Sequence, residues 1–534
     1  MEIVGESGFC PSTGIYHSKW DGAALLPPPP AAALPSFLLS AGPPAKAAFV
    51  DAASGAALSY EGLRQRTAAA AAALRGLGVC RGDVVLVVSP NSLHFPVVVL
   101  GIMSVGAVFS TANFLNTREE LQIQIRDSNP VVVVTTSELR PKLLGLVSGP
   151  LVLVPELLQL VAQEEAVAAA AAVEGTSPEE AAALMYSSGT TGKSKAVVCT
   201  HGNLIAMSCI LRQVWLAAHG GDPGEDVYLC AVPLFHMFGF SMFVCGALAA
   251  GATVVVLRRY SLEGTLGAVA EHRITRLPAV PPMVNQLARS PHLAEKFDLS
   301  SLREVICSGA PLAGDHRDRF RRCFPRITLS QCYGLTETSG PITLCDGVAG
   351  KVHASIGRLV PSMEAKICDV RTRRPLPPEQ IGELCVRGPP ATALGIDDEG
   401  WLHTGDLCYI DGRGLVFLVD RIKELIKYKA YQVVPAELEE ILSRHPDVAD
   451  VAVIPHPSSE AGEIPVACVV RRDGSSISED EIISFMAAKV APYKKIRRVR
   501  FVDSIPRSPS GKILRRRLKE ATLEGQRLEI SPRL

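Results

Sequence analysis

The sequence predicts an α/β fold with a large N-terminal part and a small α+β unit at the C-terminal end. Three observations carry this. Unbroken apolar runs alternate with helical stretches, the signature of parallel strands covered on both faces. The pattern changes near residue 420, after which short strands and two short amphipathic helices take over. The 534 residues correspond to roughly three domain-sized units of about 150 residues.

The elements follow in order. Leu25 to Pro35 is Pro/Ala-rich and reads as a surface arm or extended connector. Tyr60 to Leu77 is an Ala-rich helix, and Val84 to Val88 a buried strand ending at Ser89-Pro90-Asn91. Phe95 to Phe109 and Ser241 to Leu257 are uncharged, but too short and too interrupted by small residues to span a membrane. They read as core helix plus strand. Val131 to Val134 and Leu151 to Val154 are further strands, while 162–183 reads equally as helix or connector. From Asn203 a helix places Leu204, Met207, Leu211 and Trp215 on one face. Near the C-terminal end, Pro435 opens a helix buried through Leu438, Ile441 and Leu442. Val448 to Ile454, Val466 to Val470 and Arg498 to Val502 are strands. Ser478 and Glu481 form a capping box.

Composition narrows function. Lys+Arg and Asp+Glu are both 54, so the chain lacks the basic excess of a nucleic-acid binder. Its 14 cysteines contain no C-x-x-C pair, which argues against zinc ribbons and disulfide frameworks and for a reducing compartment. No basic n-region followed by an apolar stretch opens the chain, so a secretory signal is not expected.

The chemistry concentrates in a few segments. Tyr186-Ser187-Ser188-Gly189-Thr190-Thr191-Gly192-Lys193-Ser194-Lys195 combines hydroxyls, glycines and cations, an anion nest suited to polyphosphate. It is not a Walker A loop: Gly192-Lys193-Ser194 fits, but the position of the first glycine is Ser187. Gln331 to Thr338 (QCYGLTET) offers an aromatic, a hydroxyl and Glu337, a candidate Mg²⁺ ligand. Trp401 to Asp406 (WLHTGD) places a carboxylate after a glycine turn, where Asp406 can accept both ribose hydroxyls.

SSGTTGKSK, YGLTET, GWLHTGD, VDRIKELIK and PSGKILRR occur in this order. Together they resemble the adenylate-forming superfamily of acyl-CoA synthetases, luciferases and peptide-synthetase adenylation domains. SGFCPSTGIYHSKW, PLFHMFGF and KYKAYQVVPAELE are similar to plant 4-coumarate:CoA ligases and their ligase-like relatives. The resemblance implies an N-terminal domain over 1–420 with a small β-barrel subdomain, and a mobile C-terminal domain over 421–534. It implies an ATP-dependent acid:CoA ligase: carboxylate and ATP give acyl-AMP, then CoA displaces AMP. The alternatives are an adenylating enzyme with another acceptor, or a nucleotide-binding pseudoenzyme.

The resemblance also assigns residues. Ser187, Ser188, Gly189, Thr190, Thr191 and Lys195 match the phosphate loop, Thr336 the α-phosphate contact, and Glu337 the Mg²⁺ ligand. Asp406 matches the ribose clamp; Arg421 and Lys423 complete the ATP/AMP set on the hinge segment Asp420 to Lys423. Lys512 matches the adenylation lysine. Lys427 and Gln432 match residues presented for thioester formation, and His236 the gate between acyl site and CoA tunnel. Phe238, Ala310, Gln331, Cys332 and Thr336 match the acyl pocket, with Ser241 or Phe240, Ser308, Gly309, Gly334 and Thr343 around them, and Gln331 also belongs to the ATP/AMP set. Arg259, Lys429 and Ala430 match CoA contacts.

Departures are informative. Ala196, Ala430 and Cys332 stand where the family usually has Gly, and the segment between Gly388 and Trp401 is shorter than the usual pattern. Phe238 stands where hydroxycinnamate-selective relatives carry Tyr. Without that hydroxyl the pocket favours a more apolar acid, fatty or jasmonate-precursor, over a phenol. Pro532-Arg533-Leu534 resembles the S-K-L peroxisomal address, which implies an import receptor as partner and the peroxisome as destination, the cytoplasm being the alternative.

Overall fold

The computed structural model describes residues 6–20, 33–159, 176–187, 195–219, 222–345, 351, 354–429, 431–458, 460–508 and 511–521. Outside them lie several sequence-predicted site residues: Ser188, Gly189, Thr190, Thr191 and Ala430. The Pro532-Arg533-Leu534 terminus, most of the 25–35 arm and the start of the 162–183 segment lie outside as well.

Two mainly parallel sheets form the large part. In the first, the apolar runs Val84–Val88, Val108–Thr111, Val132–Thr135 and Leu151–Leu153 pair in parallel, with Ala181–Ser187 joining beside Val108–Thr111. The second runs Thr328–Gln331, Glu304–Cys307, Arg276–Ala279, Val227–Cys230, Thr253–Val256 and Ala47–Asp51, all parallel, closed by Ala57–Ser59. Strands buried on both faces have no polar alternation, which is why they read as continuous Val/Leu/Ile runs. Helix Tyr60–Gly76 packs its alanines against helix His94–Ser104. A Cβ on Gly101 would lie 2.8 Å from Ala70 Cβ, so small residues set how closely the two helices approach.

Several expectations need correction. Ala181–Ser187 is a strand, so the 162–183 segment does not end as helix. Leu34 and Pro35 are buried at the start of helix Leu34–Leu39 instead of belonging to an exposed arm. The Ser241 to Leu257 run is buried helix plus strand as expected, with Phe240–Ala247 wound as a π-helix that leads from Phe238 towards Thr253–Val256. Asp406 lies within the strand Leu402–Ile410, not in a free turn.

The antiparallel region comprises a six-stranded sheet (Phe9–Cys10, Ile15–His17, Glu364–Cys368, Gly382–Arg387, Leu402–Ile410 and Val416–Arg421) and a three-stranded one. A bridge between Arg358 and Leu415 stitches the two together. From Ile426 onward a separate five-stranded sheet, flanked by helices Pro435–Ser443 and Glu479–Ala487, has its own core of Ile426, Val433, Leu438, Val453, Ala467 and Ile482. The Ser478–Glu481 capping box is present in full. No helix of the described residues is long and apolar enough to cross a membrane.

Candidate active site

In open α/β sheets, ligands gather beyond the carboxyl ends of the strands. That edge of the seven-stranded sheet collects the predicted residues. His236 and Phe238 follow Val227–Cys230, Arg259 follows Thr253–Val256, Ser308 to Ala310 follow Glu304–Cys307, and Gln331 ends Thr328–Gln331.

The base of the phosphate loop is a hairpin. Ser187 pairs with Lys195 at the open end of two antiparallel strands, Ala181–Ser187 and Lys195–Thr200. A P-loop instead runs from strand into helix, so the failed Walker match has a structural counterpart. Both strands touch the turn Thr336–Thr338. Beside this junction the buried hydroxyls Ser187 Oγ and Thr392 Oγ1 have no partner among the described residues. Thr392 N–H donates to the Glu337 carbonyl at 2.8 Å and anchors the turn. Unspent hydroxyls and the half-buried Glu337 carboxylate form an all-oxygen set that fits a hard divalent cation beside phosphate.

Asp406 is 2 % exposed. Its Oδ2 accepts from Tyr333 OH at 2.6 Å, and Arg421 Nε reaches its Oδ1 at 3.0 Å across the Asp406–Arg421 strand pair. A carboxylate has about four lone-pair positions, so it keeps acceptor capacity after both contacts. Burial raises its pKa, opposed chiefly by Arg421.

Lys512, from the far end of the chain, lies within electrostatic range of this carboxylate. Gly511, at φ +84°, packs so closely on the helix Pro281–Arg289 that a Cβ there would lie 2.6 Å from Pro282 Cδ. The bridge between Arg507 and Ile513, with Lys512 N–H bonded to Ser508 Oγ at 3.2 Å, frames the loop. Burial, then the charge of Arg421, pushes the Lys512 ammonium down to about 8; Glu424 and Asp406 pull the other way. Lys423 is shifted down to about 8 by desolvation, by Lys512 and by Arg421, although the residue as a whole is exposed to solvent. Like charges held together against their own repulsion make an anion site. Arg515, which the sequence shows as part of the same basic tail, is committed elsewhere: it binds Glu424 at 2.5 Å and Glu439 at 2.6 Å.

His236 caps a short helix, its Nδ1 accepting the Phe238 N–H at 3.2 Å, which puts the proton of the neutral ring on Nε2. Burial lowers its pKa and favours that neutral form. Around Phe238 the hydroxyls of Ser241, Ser308 and Thr343 each spend their proton on a backbone carbonyl: Phe238 O at 3.2 Å, Cys332 O at 2.8 Å and Ile356 O at 2.6 Å. Phe238 and Cys332 are buried and Ala310 is half-buried. Gln331 donates to Ser355 O at 3.3 Å. A Cβ on Gly334 would lie 2.1 Å from Gly340 O, so this wall requires glycine.

Not every predicted residue joins this centre. Lys427 and Lys429 are exposed on the hairpin Ile426–Tyr428/Tyr431–Val433, which packs on the strands Val448–Ser458 and Gly462–Arg471 of its own sheet. Lys427 and Gln432 are a cross-strand pair there. Lys429 takes φ 54° in the two-residue turn, a left-handed conformation that glycine adopts freely. Arg259 is exposed at the sheet edge. Sequence reasoning missed Tyr333 as the partner of Asp406, and Glu424 and Glu439 as the partners of Arg515. Each is a contact between segments far apart in sequence, with no local signal.

Residues 39–396 match the AMP-binding enzyme family, and residues 437–512 the AMP-binding enzyme C-terminal domain. Among curated proteins, the chain is 47% identical to "Putative 4-coumarate--CoA ligase-like 8" of Oryza sativa subsp. japonica, covering 96% of this chain and 97% of that protein. It is 42% identical to Peroxisomal OPC-8:0-CoA ligase 1 of Arabidopsis thaliana, covering 98% and 100%. Among solved structures, ATP-bound MatB from Rhodopseudomonas palustris superposes with a TM-score of 0.82 at 28% identity, covering 91% of this chain and 98% of that one.

Proposed function

The chain belongs to the AMP-binding enzyme family of adenylate-forming enzymes, and from that membership we propose an ATP-dependent acid:CoA ligase that works through an acyl-adenylate. The observation that supports the mechanism is the Arg421–Asp406 pair at 3.0 Å, with Lys423 and Lys512 within electrostatic range of it.

Asp406 and Arg421 hold the ribose, and the hairpin mouth between Ser187 and Lys195, including Ser188 to Thr191, receives the β- and γ-phosphates. Glu337 would hold Mg²⁺, which would supply charge neutralisation to the phosphates. The acid attacks the α-phosphorus and pyrophosphate leaves. Negative charge grows on the α-phosphate oxygens, where Thr336 and the Lys512 ammonium stabilise it. Preorganised cations in a half-buried site do this better than water does. CoA thiol then attacks the acyl carbonyl beside His236; AMP leaves and the thiol proton is released. Lys427, Lys429, Ala430, Gln432 and Arg259 serve this second step. The hairpin bearing the first four packs on its own sheet while Lys512 occupies the centre, so the 421–534 unit turns about Asp420–Arg421 relative to 1–420 between steps.

The acid is apolar, of fatty or jasmonate-precursor type. Phe238 has no hydroxyl, so the pocket lacks the polar partner that Tyr at this position would offer a ring phenol. A CoA-consumption assay across fatty acids, OPC-type acids and hydroxycinnamates tests this. The highest kcat/KM falls on an apolar acid; a clear preference for 4-coumarate contradicts it. Release of pyrophosphate without consumption of CoA across the panel would point to another acceptor.

The destination is the peroxisome, supported by the tripeptide Pro532-Arg533-Leu534 and by the name of the Arabidopsis relative. A fluorescent protein fused behind Leu534 masks a tripeptide signal and leaves the fusion in the cytoplasm, whereas fusion ahead of Met1 allows import. Import of both, or of neither, contradicts it.

A further inference from the structure

Strand Leu402–Ile410 does not run straight against its neighbour Gly382–Arg387. Cys385 pairs with His403 and Glu383 with Leu407, so Thr404, Gly405 and Asp406 bulge opposite Leu384. Gly405 takes φ 70° at the crest. A bulge re-aims a side chain, here that of Asp406, and leaves backbone groups off the ladder. Thr404 Oγ1 donates to Leu384 O at 2.7 Å and accepts the Asp406 N–H at 3.1 Å. The Gly405 N–H goes to Glu383 Oε1 at 3.2 Å.

Glu383 is 5 % exposed and is held from its other side. Its Oε2 meets His403 Nδ1 at 3.1 Å and the Arg373 guanidinium. His403 Nε2 meets Asp397 Oδ2 at 3.0 Å. Asp397 in turn accepts the N–H groups of Glu399 and Trp401 at 3.0 and 2.9 Å through Oδ1, folding the shortened segment into a tight turn. A chain of contacts therefore runs from that turn through His403 and Glu383 to the peptide before Asp406.

The ligand atoms of Glu383, Cys385 and His403 lie within 4.8 Å of one another, which suggests a metal site. Arg373 argues against it. Its Nη1 is 3.3 Å from His403 Nδ1 and already bonded to Glu383, so a side-chain cation already pairs with the carboxylate a metal would need.

We propose that Glu383 and His403 are positioning residues that hold the Asp406 bulge at the height where its carboxylate meets the ribose. This rests on Asp406 being the ribose clamp. A loosened bulge weakens the hydroxyl contacts selectively, so its signature is lost discrimination between ATP and 2′-deoxy- or 3′-deoxy-ATP, rather than a uniform loss of rate. Hydrogen bonds to a charged group are each worth about a tenfold change or more.

The test measures kcat/KM for acyl-dependent pyrophosphate release with the three nucleotides, in the full chain and in Glu383→Gln, His403→Gln and Asp406→Asn. The expected result is a raised KM for ATP with kcat largely kept in Glu383→Gln, and discrimination reduced about tenfold. His403→Gln, whose side chain is partly exposed and whose loss is the milder perturbation, shifts the same way by less. Discrimination retained in both variants while Asp406→Asn abolishes it overturns the positioning role. Discrimination retained in Asp406→Asn itself overturns the ribose clamp, and the positioning role with it.

Discussion

Lys512 and Lys423 both sit near about 8, pushed down first by burial and then by neighbouring cations. The sign of the consequence is fixed. A lysine with a lowered pKa is charged at neutral pH and loses its proton as pH rises through about 8. The kcat/KM for ATP reports the free enzyme, so it falls above about 8. Bound phosphates favour the ammonium, so the limb in kcat lies at higher pH. In Lys423→Met, Lys512 loses a repelling neighbour and the kcat/KM limb moves upward. A limb unmoved by that substitution contradicts the assignment. At this scale the sequence was informative where motifs concentrate unusual residue types: Lys512 after a Ser-Gly turn, Asp406 after Thr-Gly. It was silent where the partner comes from another strand. Nothing near Tyr333 says that its hydroxyl ends on Asp406, and nothing near Arg515 separates it from the catalytic cation of the same tail.

Gly511 shows how an element can decide which half of a reaction is open. Its φ of +84° and its approach to Pro282 leave no room for a Cβ while Gly511 is docked there. Gly511→Ala therefore slows acyl-adenylate formation by about tenfold or more, an opposing cost of a kcal/mol or two being enough. Conversion of preformed acyl-AMP to thioester, which uses the other hairpin, is affected much less. Equal loss of both steps contradicts the docking role. Element boundaries were legible where hydrophobic pattern and caps agreed, as in Tyr60–Gly76, Val84–Val88 and the Ser478 capping box. They were not legible where tertiary pairing overrides local chemistry. Thr404-Gly405 reads as a turn, yet the ladder against Gly382–Arg387 absorbs it as a bulge. The apolar Phe240–Ala247 run gives no local sign of its π-helical winding.

In the proposed mechanism the chemistry lies at an edge between parts rather than inside one of them. The parallel sheet presents its strand ends, the antiparallel sheet adds Asp406 and Arg421, and the C-terminal unit delivers Lys512. Zero net charge is compatible with binding three anionic phosphates because the cations are gathered locally. The alternation of apolar strands and helices made the class of the large part readable, whereas the closeness of Lys512 to Asp406 depends on how separate sheets pack. The most direct measurement separates the two half-reactions in Lys512→Ala. Acid-dependent exchange of pyrophosphate into ATP should fall about 100- to 1000-fold, while preformed acyl-AMP and CoA are still converted to thioester at close to the wild-type rate. Loss of both half-reactions to the same degree, or exchange left intact, would contradict the placement of Lys512 at the adenylation centre.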